Sequence, residues 1–160
     1  MYWINGDRYE GEWKNDKKEG KGIFYWNNGQ WKGDRYEGDW KNDKREGKGI
    51  YYYKNGDKFE GDYKNNKREG KGIMYYKEND ENNRDRYEGE YKNDKKNGKG
   101  IYYFNNGARY EGDWKDDKKE GKGIYYHNNG DREMGNYLND LPIGKFAILY
   151  SNGNVSSKNY

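Results

Sequence analysis

Few residues in this chain could carry covalent chemistry. His127 is the only histidine, the only serines are Ser151, Ser156 and Ser157, and cysteine and threonine are absent. A nucleophile, a histidine and an acid must converge to activate one another. The serines cluster in the tail with no base beside them, and His127 stands where earlier copies of a repeat carry an aromatic ring, so it reads as a structural substitution. Without cysteine there is neither a disulfide framework nor a thiolate metal site. Paired carboxylates such as Glu10 and Glu12 could act as acid and base on a glycosidic bond, but they recur copy after copy, whereas such a site is singular. Gly20-Lys21-Gly22-Ile23 lacks the spacing and the Ser/Thr of a phosphate-binding loop. No EF-hand loop occurs, and the sequon Asn154-Val155-Ser156 carries no weight without a secretory signal. No catalytic residue, metal or cofactor is expected. Aromatic rings and lysines together could hold single-stranded nucleic acid, but acids lie between the basic segments, so no nucleic-acid partner is expected either.

Binding is what remains, and composition says what kind of surface must do it. Of the 160 residues 38% are charged and 29% hydrophobic, with a net charge of +3 from 32 basic and 29 acidic side chains. So few aliphatic residues normally mean disorder. Here 20 Tyr, 6 Trp and 4 Phe supply the buriable surface instead, at roughly 150–250 Å² each. No apolar run is long enough to span a bilayer. Met1–Asp7 has neither the basic start nor the apolar stretch of a signal peptide. The expectation is a soluble protein of the cell interior.

A short box recurs along the chain: Tyr9-Glu10-Gly11-Glu12-Trp13, Tyr36-Glu37-Gly38-Asp39-Trp40, Phe59-Glu60-Gly61-Asp62-Tyr63, Tyr87-Glu88-Gly89-Glu90-Tyr91 and Tyr110-Glu111-Gly112-Asp113-Trp114. A worn copy is Glu133-Met134-Gly135-Asn136-Tyr137. Box starts lie 27, 23, 28, 23 and 23 residues apart, a period of 23 with two insertions, near 30–33 and 78–85. Nine residues after each box glycine comes another, at Gly20, Gly47, Gly70, Gly98, Gly121 and Gly144. The first five open Gly-Lys-Gly-Ile followed by aromatics. Each copy reads as two strands, the box and the Gly-Ile-aromatic run, with hairpin turns at Asn55-Gly56, Asn106-Gly107 and Asn129-Gly130. The polar stretch Lys14–Lys21 and its equivalents read as the other turn. The fold class is all-β, an elongated single-layer antiparallel meander of stacked 23-residue hairpins. A partial leading repeat covers 1–8, five repeats cover 9–132, and 133–160 hold a degenerate sixth repeat with a C-terminal cap and tail.

With these boxes at this period the chain resembles the MORN (membrane occupation and recognition nexus) repeat family over about residues 2–153. The resemblance implies a single-layer antiparallel sheet, curved and groove-like, without catalysis. It also implies an adaptor of cytoskeletal, ciliary or membrane-contact structures that holds a partner helix in the groove.

Strand alternation then assigns faces. One face becomes an aromatic carpet with glycine gaps, over which rings lie where a Cβ would clash. Its partner-binding candidates are Trp13, Phe24, Trp26, Tyr36, Trp40, Tyr51, Tyr53, Phe59, Tyr63, Tyr76, Tyr87, Tyr91, Tyr102, Phe104, Tyr110, Trp114 and Tyr125. The same rings must also serve as core, because aliphatic residues are missing. The box carboxylates should colour the other face acidic. The five long turns sum to +11 and leave −8 elsewhere, which predicts a basic edge of Lys17, Lys18, Lys44, Arg45, Lys67, Arg68, Lys95, Lys96, Lys118 and Lys119. That edge could equally keep the array soluble. The window Phe146–Tyr150 is the most apolar in the chain and reads as a terminal cap or a docking edge.

The leading expectation is therefore a non-enzymatic scaffold that binds a helical or extended partner segment on the aromatic groove. Its setting is the cytoplasm, within a larger cytoskeletal or ciliary (axonemal) complex, with end-to-end self-association as a further partner mode. The alternative is a membrane-associated tether whose basic edge meets anionic phospholipid. A third reading is an aromatic-repeat module for choline or carbohydrate.

Overall fold

The computed structural model describes residues 1–77 and 85–160. The chain divides into two compact units, Met1–Lys77 with Lys92–Asp94, and residues 85–91 with Lys95–Tyr160. The first holds β1 (Arg8–Lys14), β2 (Lys17–Tyr25), β3 (Arg35–Lys41), β4 (Lys44–Tyr52), β5 (Lys58–Lys64) and β6 (Lys67–Tyr75). Each pairs antiparallel with the next in chain order. The second holds β7 (Arg86–Lys92), β8 (Lys95–Tyr103), β9 (Arg109–Lys115), β10 (Lys118–Tyr126), β11 (Arg132–Leu138), β12 (Leu141–Leu149) and β13 (Val155–Asn159), in the same neighbour order. Among the described residues the one helical turn is a 3₁₀ turn at Gly29–Trp31, the insertion expected near 30–33. The insertion at 78–85 lies outside the described residues, Asp85 excepted. The fold is the all-β antiparallel hairpin meander that the repeat predicts.

One expectation is corrected. The stretch Lys14–Lys21 is not a turn. The turn is two residues, Asn15-Asp16, with φ of 50° and 59°, and the same pair of left-handed residues recurs at Asn42-Asp43, Asn65-Asn66, Asn93-Asp94, Asp116-Asp117 and Asn139-Asp140. Two left-handed residues in a row define the type I′ turn, whose twist matches that of the flanking strands. Strand β2 therefore starts at Lys17. It carries a bulge, because Gly11 faces Gly22 and Trp13 faces Lys18, which leaves Glu12 alone opposite Glu19, Gly20 and Lys21. Gly20 takes φ of 65° inside that bulge. The backbone N–H that the bulge frees, on Lys21, donates to the Glu12 carboxylate at 3.0 Å. Asp39, Asp62 and Asp113 accept from Lys48, Lys71 and Lys122 in the same way, at 2.9, 3.1 and 3.1 Å.

Successive hairpins hold one another by the same kind of cap. Glu19 accepts from the Asn42 N–H at 2.9 Å, while the Lys18 N–H donates to Asp43 at 3.0 Å. Glu46 and Asn65, and then Glu120 and Asn139, repeat the first bond. At the other edge an aspartate two residues before the box caps the next loop, except before Tyr110, where Ala108 stands. Asp7 takes the Asn27 N–H, Asp34 that of Lys54, Asp57 that of Lys77 and Asp131 that of Ser151, all at 2.7–2.9 Å. In the last hairpin these grips are gone, since Pro142 and Ile143 stand where β10 has Lys119 and Glu120.

Candidate functional site

The ring-bearing face has two rows in each unit. The first starts from the glycines. Gly11 pairs with Gly22 and Gly38 with Gly49, and with no Cβ on either strand the Tyr9 and Tyr36 rings lie flat across the gap. A Cβ built on Gly11 or Gly38 would come within 2.6 Å of the tyrosine oxygen. Tyr9, Tyr36, Phe59, Tyr87 and Tyr110 are fully buried as a result. Each stands edge-on to the second aromatic of its own box and, where the unit shows it, of the next. Tyr9 meets Trp13 at 89° and Trp40 at 83°, and Tyr36 meets Trp40 at 89° and Tyr63 at 80°. In the second unit Tyr110 bridges Trp114 and Tyr137 likewise. Such contacts add about 0.5–1.5 kcal/mol each beyond area burial. The Trp40 indole also donates to the Gly22 carbonyl at 3.1 Å, and Trp114 to that of Gly100 at 3.2 Å.

The second row comes from the β-even strands and the residues after them. Phe24, Trp26, Tyr51 and Tyr53 follow one another at 4.5–5.4 Å between centroids, tilted by 39–53°. Tyr102, Phe104, Tyr125 and His127 do the same in the second unit at 4.8–5.7 Å. Except for buried Tyr51, these rings are half-buried, as is Tyr76. Tyr51 is tied by its hydroxyl to buried Asp34 at 2.6 Å.

Burial therefore divides the seventeen ring candidates. Tyr36, Trp40, Tyr51, Phe59, Tyr63, Tyr87, Tyr91, Tyr110 and Trp114 lie in the core. Phe24, Trp26, Tyr53, Tyr76, Tyr102, Phe104 and Tyr125 keep accessible surface, and Trp13 is 37% exposed at the β1 edge. Desolvation pushes the Tyr9 hydroxyl up to about 12 and raises those of Tyr36, Tyr51, Tyr63 and Tyr110 as well.

The ten basic candidates divide by alternation, which corrects the expectation of one basic edge. Lys17, Lys44, Lys67, Lys95 and Lys118 are exposed at the hairpin ends. Lys18, Arg45, Arg68, Lys96 and Lys119, each one residue further on, turn onto the rings. The Lys18 ammonium lies 5.2–5.9 Å from the centroids of Trp3, Tyr9, Phe24 and Trp40. Lys119 lies 4.8–5.8 Å from Phe104, Tyr110, Tyr125 and Tyr137. These are aromatic cages filled by the chain's own cations. Burial lowers the Lys119 pKa.

The opposite face is not simply acidic. Arg8 pairs with Glu10 at 3.1 Å and lies 4.2 Å from the Tyr25 ring centroid. Lys58 pairs with Glu60 and covers Tyr75. Lys21, Lys48 and Lys99 pair with Asp39, Asp62 and Asp113 at 2.5–2.6 Å. Sequence reasoning missed the tyrosines of this face, Tyr25, Tyr52, Tyr75, Tyr103 and Tyr126. Their signal was the basic residue that precedes every box, which stacks on them. Among the described residues no group of three His, Asp or Glu side chains could hold a metal ion.

The family model of the MORN repeat matches residues 9–31, 36–58, 59–81, 87–109 and 110–132. No curated protein matches the chain. A similar solved structure is the SAS-4 (dCPAP) TCP domain of Drosophila melanogaster in complex with a proline-rich motif of Ana2 (dSTIL). It shares 18% identity over 99% of this chain and 82% of that one, with a TM-score of 0.57. The wild-type TCP10 domain of Danio rerio CPAP shares 12% identity over 99% and 92%, with a TM-score of 0.48. At these identities the first likeness bears on fold alone.

Proposed function

The chain belongs to the MORN-repeat family, and on that premise we propose that it is a non-enzymatic scaffold that holds an extended segment of a partner protein along the second aromatic row. The observation that carries this is the contrast between the rows. The first, Trp13 apart, is sealed in the core, while Phe24, Trp26 and Tyr53 in the first unit, and separately Phe104 and Tyr125 in the second, present half-exposed aromatic surface. Exposed aromatic surface of that kind on a single sheet favours a partner. The fold neighbour whose structure contains a proline-rich motif supports an extended segment over a helix. Tilted rings with polar tips suit such a segment. We assign the scaffold to a cytoskeletal or ciliary assembly, the setting that MORN arrays suggest.

A second reading has its own observation. The exposed pairs Lys41 and Lys44, and Lys64 and Lys67, lie across from each other at the hairpin ends, where they could meet anionic phospholipid. Salt separates the two readings, because lipid attraction through exposed lysines is screened.

The test is a pull-down at low and moderate salt with the intact chain and with Trp26, Tyr53, Phe104 and Tyr125 changed to Ser, folding being checked by circular dichroism. Salt-resistant partners that the folded variant loses support the groove. Partners retained by the variant, together with salt-sensitive binding to anionic liposomes, would favour the lysine edge.

A further inference from the structure

Within the first unit the ring-face cations are not equivalent. Each donates its backbone N–H to the second turn residue of the following hairpin. That residue is Asp43 for Lys18 and Asp94 for Arg68, and in the second unit Asp117 for Lys96 and Asp140 for Lys119. At Arg45 it is an amide, Asn66, at 2.8 Å. Lys18 and Arg68 consequently form ion pairs, with Asp43 at 3.3 Å and Asp94 at 3.4 Å. Arg45 forms none among the described residues; its guanidinium donates to the Asn66 carbonyl at 2.6 Å and lies 5.1–5.7 Å from the Tyr36, Tyr51 and Tyr63 centroids. A guanidinium has five donors and suits a bidentate carboxylate.

A second observation falls on the same spot. The Tyr63 side chain is 4% exposed, and its hydroxyl is buried with no hydrogen-bond partner. An orphan buried hydroxyl costs about 1–3 kcal/mol. The groups that act on it electrostatically are Tyr53, Arg45, Tyr36 and Arg68. An uncompensated cation and half-exposed Tyr53 of the second row thus stand beside an unpartnered phenol of the first.

We propose that Arg45, with Tyr53 beside it, forms the seat for a carboxylate side chain of the partner segment. This rests on the scaffold reading above and adds the partner's chemistry, an extended segment bearing Asp or Glu. Charge complementarity selects the acid. Spacing selects the backbone: hairpins recur about every 9.6 Å across a sheet, and a polyproline II helix turns once in about 9.3 Å, three residues. Such a segment would keep one register along the row, and one acidic residue in it would reach Arg45.

Asn66→Asp is the decisive variant. It puts beside Arg45 the side chain that Lys18 and Arg68 already have, at a φ of 70° against 67° for Asp43 and 71° for Asp94, so the fold should survive. The first measurement is a titration of the wild-type chain with sodium acetate against chloride at equal ionic strength, followed by NMR at the arginine Nε–H resonances. The expected result is a saturable shift at Arg45, none at Arg35, and at least about tenfold weaker binding in Asn66→Asp. The second measurement is fluorescence anisotropy with labelled (Pro-Pro-Glu)4 and (Pro-Pro-Gln)4. The Glu peptide should bind at least about tenfold tighter, roughly one charge-assisted pair, and Asn66→Asp should abolish the preference.

No acetate shift at Arg45, or an equal one in Asn66→Asp, overturns the seat. Equal binding of the two peptides overturns its use by the partner. If acetate still titrates Arg45 while neither peptide binds, the extended-segment reading fails and the partner half of this proposal falls with it. Inorganic phosphate binding tenfold tighter than acetate would replace the carboxylate with a phosphorylated residue.

Discussion

Phe146 covers Gly135 from the strand opposite to the one that supplies the ring in every intact repeat. A Cβ on Gly135 would collide with the Phe146 ring. In the intact repeats the ring belongs to the first strand, as Tyr110 in β9, and lies over a glycine of the second, Gly123 in β10. In the last hairpin Glu133 has replaced the tyrosine and Phe146 the glycine, so ring and gap have exchanged strands. Phe146 remains fully buried and edge-on to Tyr137 at 81°.

This exchange predicts a rescue. Phe146→Gly should cost about 3–5 kcal/mol, the range for deleting a buried phenyl ring. Adding Glu133→Tyr should restore at least half of it by returning the ring to its usual strand. Urea unfolding of the single and double variants checks this. A double variant no more stable than the single one would show that strand origin matters and not just ring volume.

In an intact hairpin the reverse change should fail. Gly49→Ala places a methyl group against the Tyr36 ring, and overpacking there should cost about 2–3 kcal/mol. Combining it with Tyr36→Ala should make the glycine change nearly silent, because the obstructing ring is gone. A double-mutant cycle in urea reads the coupling, and additive losses would contradict the packing.

Alkaline pH should unfold the protein in a defined window. Burial raises the Tyr9 and Tyr137 hydroxyls to about 12 and those of Tyr36, Tyr51, Tyr63 and Tyr110 as well. An unfolded tyrosine ionises near 10. The stability held by these neutral phenols is thus fully present below about pH 10 and is lost as pH rises through 10 toward 12 and above. Denaturant midpoints at pH 8, 9.5, 10.5 and 11.5 should fall only over the last three. A flat profile to pH 11.5 would mean that the rings are not sealed.

The cation cages make a prediction about small ligands. Lys119 occupies a four-ring site, so the wild-type chain should not bind choline there. Lys119→Ala should vacate it and permit millimolar binding, visible as tyrosine and tryptophan fluorescence changes. Choline binding by the wild type, undiminished by any cage variant, would return the aromatic-repeat ligand module to consideration.

The hairpin, its period and its aromatic face were legible because they rest on glycine and ring spacing, which Gly22 and Tyr9 show directly. Two things were not. Charge was read as surface decoration, whereas Glu12, Glu19, Asp34 and Asp43 cap backbone N–H groups of a bulge or of the next hairpin. Nothing in net charge distinguishes a capping carboxylate from a free one. The inward turn of Lys18 and Arg45 was hidden for a related reason. A polar run looks like a loop until the Asn-Asp pair is recognised as the whole turn, after which alternation assigns every second cation to the rings. The readable signal was the aspartate two residues before the box, at Asp7, Asp34, Asp57, Asp85 and Asp131.

Pro142 and Ile143 bear on how such arrays can be lengthened. An intact hairpin such as β9–β10 offers its successor one amide hydrogen and one carboxylate, as Lys119 and Glu120 offer them to Asp140 and Asn139. Proline has no amide hydrogen and isoleucine no carboxylate. A duplicated unit inserted before Arg132 would find both waiting, while the same unit grafted onto β12 would find neither. Order matters in this molecule: an intact hairpin carries the groups that hold a successor, and the β11–β12 hairpin does not.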